Sequence, residues 1–196
     1  MKRASGRGGR GARPALAIDA GGLASGAHFI PSPNCDDRPA GERVRLIVIH
    51  NISLPPGEFG GGDIVRFFCN TLDCGAHPFY DRLRDLRVSA HFLILRSGEI
   101  LQFVPCTRRA WHAGASAWRG RSCCNDFSVG VELEGADAVP YADAQYTALA
   151  ALAAALWRAY PVEEVVGHAD IAPGRKTDPG AAFDWRRFRA LLSHTA

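Results

Sequence analysis

The spacing of apolar residues along the chain predicts both strands and helices. Short, strongly apolar segments are typical of buried strands, and two of them flank Ser97 and Gly98 as in a β-hairpin. Apolar residues three or four positions apart predict helices at about 63–72, at 143–160 and after the N-cap residue Asp184. We therefore expect an α/β (α+β) fold in which helices pack on a central mixed β-sheet. The predicted strands are residues 43–50, 88–95, 99–104, 127–133 and 162–168.

The strand predicted at 127–133 has two unlike faces. Its alternate residues from Phe127 to Leu133 are apolar and are expected to face the core. The opposite face holds Ser128, Gly130 and Glu132. Two small residues before a carboxylate leave space, which is typical of a pocket wall.

Length and composition favour a single folded domain. A chain of 196 residues that is 47% hydrophobic is long enough for one buried core. Residues 1–26 consist mainly of Gly, Ala, Arg and Ser and predict a flexible basic arm, so the folded domain is expected at 27–196. The arm has no aromatic residues for base stacking, and the net charge of +3 is mild, so nucleic-acid binding is not expected.

The sequence also favours a protein of the cytoplasm. It contains no run of about 18 apolar residues, so we expect no membrane span. The apolar stretch near the N-terminus is interrupted by Asp19 and by glycines, which makes a poor signal sequence. Six cysteines show no disulfide-rich spacing, and neither a zinc knuckle around Cys69 nor a nucleophile at Cys123 or Cys124 has the expected surroundings. Free thiols in a cytoplasmic protein are therefore expected.

Two histidines and a carboxylate stand where a metal site could form. His50 ends the apolar run 46–50, His168 follows the last predicted strand, and Asp178 lies ten residues further on. Two imidazoles and one carboxylate are the protein ligands of a three-ligand catalytic zinc site, which leaves a fourth position for water. Asp170 is nearer to His168 in the sequence and is an alternative carboxylate ligand.

Two further charged residues suit catalysis at such a site. Glu132, on the pocket face of its strand, fits the general base that takes a proton from water. Lys176 is the only lysine besides Lys2, although the chain has 23 Lys and Arg residues. Its compact ammonium suits a developing oxyanion better than a guanidinium fork does. His91 is either a support for the ligands or a substrate group, and the sequence leaves both alternatives open.

Long motifs give the chain a resemblance to a known family. From about Ile30 to Leu192 it resembles the AmpD family of cytoplasmic 1,6-anhydro-N-acetylmuramoyl-L-alanine amidases. That family shares a zinc amidase fold, a mixed sheet with helices packed on it, with phage lysozyme-type amidases and peptidoglycan recognition proteins. The motifs that carry the resemblance are residues 48–61, 86–91, 109–114, 124–135 and 175–180.

The resemblance implies a function and a set of site residues. It implies one zinc ion and a substrate that is a recycled muropeptide, cut between the lactyl group of anhydromuramic acid and L-alanine. The role of Arg121 in peptide binding is doubtful because the neighbouring Ser122-Cys123 departs from the pattern. Separately from the resemblance, we expect a monomer. A muropeptide-binding protein without activity and a general metallopeptidase are the alternatives. The implied residues are the ligands His50, His168 and Asp178, the catalytic Glu132 and Lys176, and the substrate-binding Asn51, Arg87, Trp111 and Ala113.

Overall fold

The computed structural model describes residues 15–194, which form one mixed sheet with helices and two small additional sheets. None of the helices in this range is both long and apolar enough to cross a membrane. Short 3-10 helices lie at Pro78–Leu83 and Cys124–Asp126. The strands are β1 (His28–Phe29), β2 (Cys35–Asp37), β3 (Leu46–Ile52), β4 (Phe92–Ile94), β5 (Ile100–Gln102), β6 (Arg108–Ala110), β7 (Ala117–Trp118), β8 (Arg121–Ser122), β9 (Ser128–Glu134) and β10 (Glu164–Gly167). The α-helices are α1 (Asp63–Phe68), α2 (Asp143–Ala159), α3 (His168–Ile171) and α4 (Trp185–Ser193).

The central sheet has six strands in the order β1-β5-β4-β9-β3-β10. The pair β4–β5 is antiparallel, while the pairs β4–β9, β9–β3 and β3–β10 are parallel. This confirms the mixed sheet and the hairpin around Ser97 and Gly98. Three strands, β4, β5 and β10, are shorter than predicted, because an apolar side chain stays buried beyond the last ladder hydrogen bond. In contrast, β9 has the predicted length, and β3 continues past His50 to Ile52.

The main core lies on one face of this sheet. Ile47 and Ile49 of β3 and Val131 of β9 pack there against Leu149 of α2 and Phe188 of α4. The helix predicted at 143–160 therefore has its expected partner, and its apolar stripe is buried against the sheet. Asp184 caps α4 as expected, since its Oδ1 accepts a hydrogen bond from the Arg187 N–H at 2.9 Å.

Part of the predicted arm belongs to the domain. Ala24 is buried in the main core, and its N–H donates to Gln102 Oε1 at 2.8 Å. Gly22 has a φ of 85°, and a Cβ there would meet the backbone nitrogens of Cys106 and Thr107 at 2.7 Å. Gly22 and Ala24 are thus held against the domain by groups that are distant in the sequence, while most of residues 15–26 are exposed. Residues 1–14 of the predicted arm lie outside the described residues.

A part-buried guanidinium joins three segments beneath the sheet. Arg38 donates to the carbonyl oxygens of Cys106, Asn125, Asp126 and Ser128 at 2.8–3.2 Å. Burial lowers its pKa to about 10, so the group stays protonated at neutral pH. One cation therefore satisfies four carbonyl groups that come from two separate loops and the start of β9.

Next to it, His91 is fully buried and bonded to the backbone. Its Nδ1 accepts from the Gly130 N–H at 3.0 Å, so the neutral ring carries its hydrogen on Nε2, which lies 3.1 Å from the Arg108 carbonyl oxygen. Burial lowers the pKa of His91 to about 3, which keeps the ring neutral. These bonds make His91 a link between backbone segments, and a role as a substrate group is not supported.

We expect Arg38→Met to destabilise the fold by about 2–4 kcal/mol, because the substitution leaves several carbonyls without a donor. Urea denaturation monitored by circular dichroism measures this. Arg43→Met is the matched control, since Arg43 is exposed and close by in sequence. Equal unfolding midpoints for the two variants would contradict the role assigned to Arg38.

Candidate metal centre and active site

The register of three parallel strands assembles the site at one edge of the sheet. His50 of β3 is the Cα partner of Glu132 of β9. On the other side of β3, Gly167 of β10 pairs with Ile49, so His168 follows at the level of His50. The carboxyl ends of parallel strands meet at the same edge, where α/β sheets place their ligands.

Three ligand atoms form a nearly equilateral triangle there. The Nδ1 atoms of His50 and His168 are 3.0 Å apart, and each lies 3.0 Å from Oδ2 of Asp178. Ligands at about 2.0–2.1 Å from a tetrahedral zinc ion are separated by about 3.3 Å. The donor set and its spacing therefore fit zinc, and this is the group in residues 15–194 with metal-binding geometry.

The structure decides between the two candidate carboxylates. Oδ2 of Asp170 accepts the Gly167 N–H at 2.7 Å and thereby caps α3. After α3 the chain folds back towards this helix, so that the Ala169 N–H donates to the carbonyl oxygen of Asp178 at 3.0 Å. This return places the Asp178 side chain against both imidazoles. Asp170 as the ligand is therefore not supported.

The electrostatics of the triangle suit a metal ligand set. Burial lowers the pKa of His50 to about 4, so its ring is neutral and can present a lone pair. Burial raises the pKa of Asp178, but the close contacts of its carboxylate with the His168 and His50 rings outweigh burial and hold the pKa below the usual range. The triangle thus combines two neutral imidazoles with one carboxylate.

Both imidazoles are also held on the side away from the triangle. Nε2 of His168 lies 3.0 Å from the carbonyl oxygen of Ala113, which can only accept a hydrogen bond. Nε2 of His50 lies 2.9 Å from Nδ1 of His112. Such contacts orient metal-binding histidines and are part of a complete metal site.

Glu132 is a buried carboxylate beside the triangle. Its Oε2 has no hydrogen-bond partner among the described residues. Burial, and after it the charge of Asp178, raises the pKa of Glu132 well above its ordinary value, while Lys176 acts in the opposite direction. A carboxyl group with an unpartnered oxygen and a raised pKa is suited to exchanging protons near neutral pH.

A cleft of about 400 Å³ opens over these groups. Lys176 lines it together with the ligand triangle and Glu132. Its apolar wall comes from the end of β3 and the loop after it, α1, the 3-10 helix at 78–83 with the segment that follows, and Trp111. The members of this wall are Ile52, Leu54, Pro56, Phe67, Phe68, Phe79, Leu83, Leu86, Val88 and Trp111.

The four expected substrate residues are not all brought into this cleft. Asn51 and Trp111 line it, but Nδ2 of Asn51 already donates to Asp137 Oδ1 at 2.7 Å and to the Pro179 carbonyl at 3.1 Å. Arg87 borders a smaller neighbouring depression. The Ala113 side chain is fully buried, and its carbonyl faces His168. A substrate role for these residues stays a prediction.

Arg121 lies elsewhere. Its Nη2 donates to Glu42 Oε2 at 2.7 Å, and its guanidinium lies over the ring of Phe127. It does not line the cleft around the metal triangle.

The sequence interpretation missed His112. This partly buried ring contacts His50 and lies over Gly130, where a Cβ would overlap it. The space expected beside Gly130 is therefore filled by an imidazole and does not form part of an open pocket wall. The sequence does show a small residue, Gly130, on the site face of β9. The ring that covers it comes from a loop, and the alternation of residues along a strand does not identify a contact with a loop.

Comparisons with known proteins identify the family. A family model described as N-acetylmuramoyl-L-alanine amidase matches residues 40–181. The 1,6-anhydro-N-acetylmuramyl-L-alanine amidase AmpD of Escherichia coli K12 is 58% identical over 170 residues, covering 86% of this chain and 93% of the relative.

Solved structures show the same architecture. A crystal structure of a selenomethionine derivative of AmpD matches with a TM-score of 0.86 and 55% identity, covering 88% of this chain and 97% of that one. The E. coli amidase AmiD, in complex with anhydro-N-acetylmuramic acid-L-Ala-D-γ-Glu-L-Lys, matches with a TM-score of 0.56 and 32% identity, covering 76% of this chain and 57% of that one. With the family model covering residues 40–181, the chain belongs to the N-acetylmuramoyl-L-alanine amidase family.

Proposed function

We propose that this protein is a zinc-dependent hydrolase of peptidoglycan recycling. It cleaves the amide bond between the lactyl group of 1,6-anhydro-N-acetylmuramic acid and L-alanine in muropeptides. The observation that carries the proposal is the triangle of His50, His168 and Asp178 with the unpartnered Glu132 carboxylate beside it. The identity to AmpD over most of both chains supports the substrate class.

The residues of the site have separate roles in this reaction. His50, His168 and Asp178 would hold the zinc ion, which when bound supplies Lewis-acid activation of the attacking water and of the scissile carbonyl. Glu132 accepts the proton of the attacking water on its free Oε2. The same carboxyl group then returns a proton to the leaving nitrogen of L-alanine. The Lys176 ammonium stabilises the negative charge that develops on the carbonyl oxygen.

The cleft suits a ligand with both apolar and polar parts. Trp111 and the apolar side chains next to it form one wall, which supports contact with the sugar ring or the lactyl methyl group. We further propose that Arg87, exposed at the neighbouring depression, pairs with a carboxylate of the stem peptide. Asn51 and Ala113 then contribute through the Asp178–Pro179 segment and through His168, to which they are bonded.

We also propose one zinc ion per chain and a monomer in the cytoplasm. The six cysteines are free thiols, which supports a reducing compartment. We propose no nucleic-acid partner. A cytoplasmic enzyme would act on fragments returned from the wall.

The central experiment is mass spectrometry of a defined anhydromuropeptide after incubation with the protein. We expect release of the intact stem peptide and free anhydromuramic acid, with loss of activity after chelation and recovery with zinc. His50→Ala should lose both zinc and activity, whereas His28→Ala, an exposed histidine on β1, should keep both. Binding without cleavage would favour a muropeptide-binding protein. Cleavage of sugar-free peptides that begin with L-alanine would favour a general metallopeptidase.

Glu132→Gln tests the proton transfer. We expect the zinc content and the fold to be retained while kcat falls by roughly 10²–10⁴, the usual effect of losing a general base. Metal analysis and steady-state kinetics measure the two quantities, and Glu99→Gln, at an exposed glutamate, is the control. A rate within a few-fold of the parent would mean that another group takes the proton.

Lys176 is tested by paired substitutions. We expect Lys176→Ala to lower kcat by roughly 10²–10³ with a much smaller change in KM, as for loss of an oxyanion donor. Lys176→Arg should restore little activity because a guanidinium spreads its charge over a wider fork. Near-normal activity of Lys176→Arg, or a change confined to thermal stability in Lys176→Ala, would refute the assignment.

A further inference from the structure

A buried row of polar groups runs from the metal ligand His50 into the core. Nε2 of His50 lies 2.9 Å from Nδ1 of His112, and Nε2 of His112 lies 3.1 Å from Oγ of Ser128. Oγ of Ser128 in turn lies 2.5 Å from the carbonyl oxygen of Cys124. Ser128 and Cys124 are fully buried, so the inner end of the row is shielded from bulk water.

The last contact sets the direction of all the others. A carbonyl oxygen can only accept, so the Ser128 hydroxyl hydrogen points at Cys124. The Ser128 oxygen is then left to accept from His112, whose Nε2 must carry the hydrogen. In a neutral imidazole the other nitrogen is an acceptor, so Nδ1 of His112 accepts from Nε2–H of His50. Nδ1 of His50 therefore presents a lone pair to Asp178 and His168.

The ring of His112 has little freedom to break this row. It meets His50 edge-on, with ring centroids 5.0 Å apart and an interplanar angle of 82°. On its other side it lies over Gly130, where a Cβ would overlap the ring atoms. Since His168 is oriented directly by the Ala113 carbonyl, the two ligands reach the same tautomer by different routes.

We propose that His112 and Ser128 are positioning residues that hold His50 in its metal-binding tautomer. Without the Ser128 hydroxyl, His112 is free to carry its hydrogen on Nδ1, which faces His50. His50 would then have to accept at Nε2 and carry its own hydrogen on Nδ1, the atom that is needed for the metal. The inference rests on the proposed function only in naming that metal as zinc.

Zinc affinity is the first test, measured by competition with a chromophoric chelator on metal-free protein. His112→Leu removes the acceptor for His50, and Ser128→Ala removes the hydroxyl that accepts from His112. Each variant should weaken zinc binding by roughly 10–100-fold, the range found for the outer partners of metal ligands. His112→Asn should restore most of the affinity because its amide oxygen can accept from His50. Ser97→Ala, at an exposed serine in the hairpin turn, is the control and should bind as the parent does.

The second test needs no substitution and so does not depend on whether a variant folds. Long-range ¹H–¹⁵N correlation spectra of the ¹⁵N-histidine-labelled parent protein report which ring nitrogen carries the hydrogen. We expect Nε2–H for both His50 and His112. Nδ1–H on His112, or unchanged zinc affinity in folded His112→Leu and Ser128→Ala, would overturn the inference while leaving the proposed function intact. A parent protein that binds no zinc would instead refute the proposed function, and the spectra would still decide the tautomer.

Discussion

The pairing register of β3 with β9 and β10 is the constraint on which the site depends. Side chains alternate between the two faces of a strand, so a slip of one residue would move every side chain of β3 to the opposite face. Ile49 and Val131 are buried in the main core, and this burial leaves their neighbours His50 and Glu132 on the site face. The hydrophobic effect on one face of the sheet therefore fixes the polar geometry on the other.

Two carboxylates at the same edge differ because their surroundings differ. Oδ2 of Asp178 lies 3.0 Å from Nδ1 of each imidazole, and contact with the two rings lowers the pKa of Asp178 in spite of burial. Glu132 is buried with an unpartnered oxygen, so burial and the charge of Asp178 raise its pKa. Environments that push two pKa values apart separate the roles of the two groups. One suits a metal ligand, and the other suits a group that takes and returns a proton.

The groups that support the site come mainly from irregular segments. The loop after β6 supplies His112 and the Ala113 carbonyl, and Tyr141 and Asn51 both donate to the Pro179 carbonyl next to Asp178. Each of these contacts satisfies a buried polar atom that would otherwise cost free energy. The polar network thus orients the ligands and stabilises the fold with the same hydrogen bonds.

The sequence by itself determined five strands of the central sheet, the helices after 63, 143 and 184, the placement of His50 at a strand end and the direction of Glu132 towards the site face, because these follow from local periodicity. Its long motifs also indicated the family. Only the tertiary structure decided that Asp178 rather than Asp170 joins the two histidines, that Gly22 and Ala24 are held against the domain, and that His112 fills the space over Gly130. In each of these cases the contacting residues belong to segments that are apart in the sequence and meet only in the folded chain. Hydrogen-bond geometry between such segments depends on the packed fold, and no pattern within one segment encodes it.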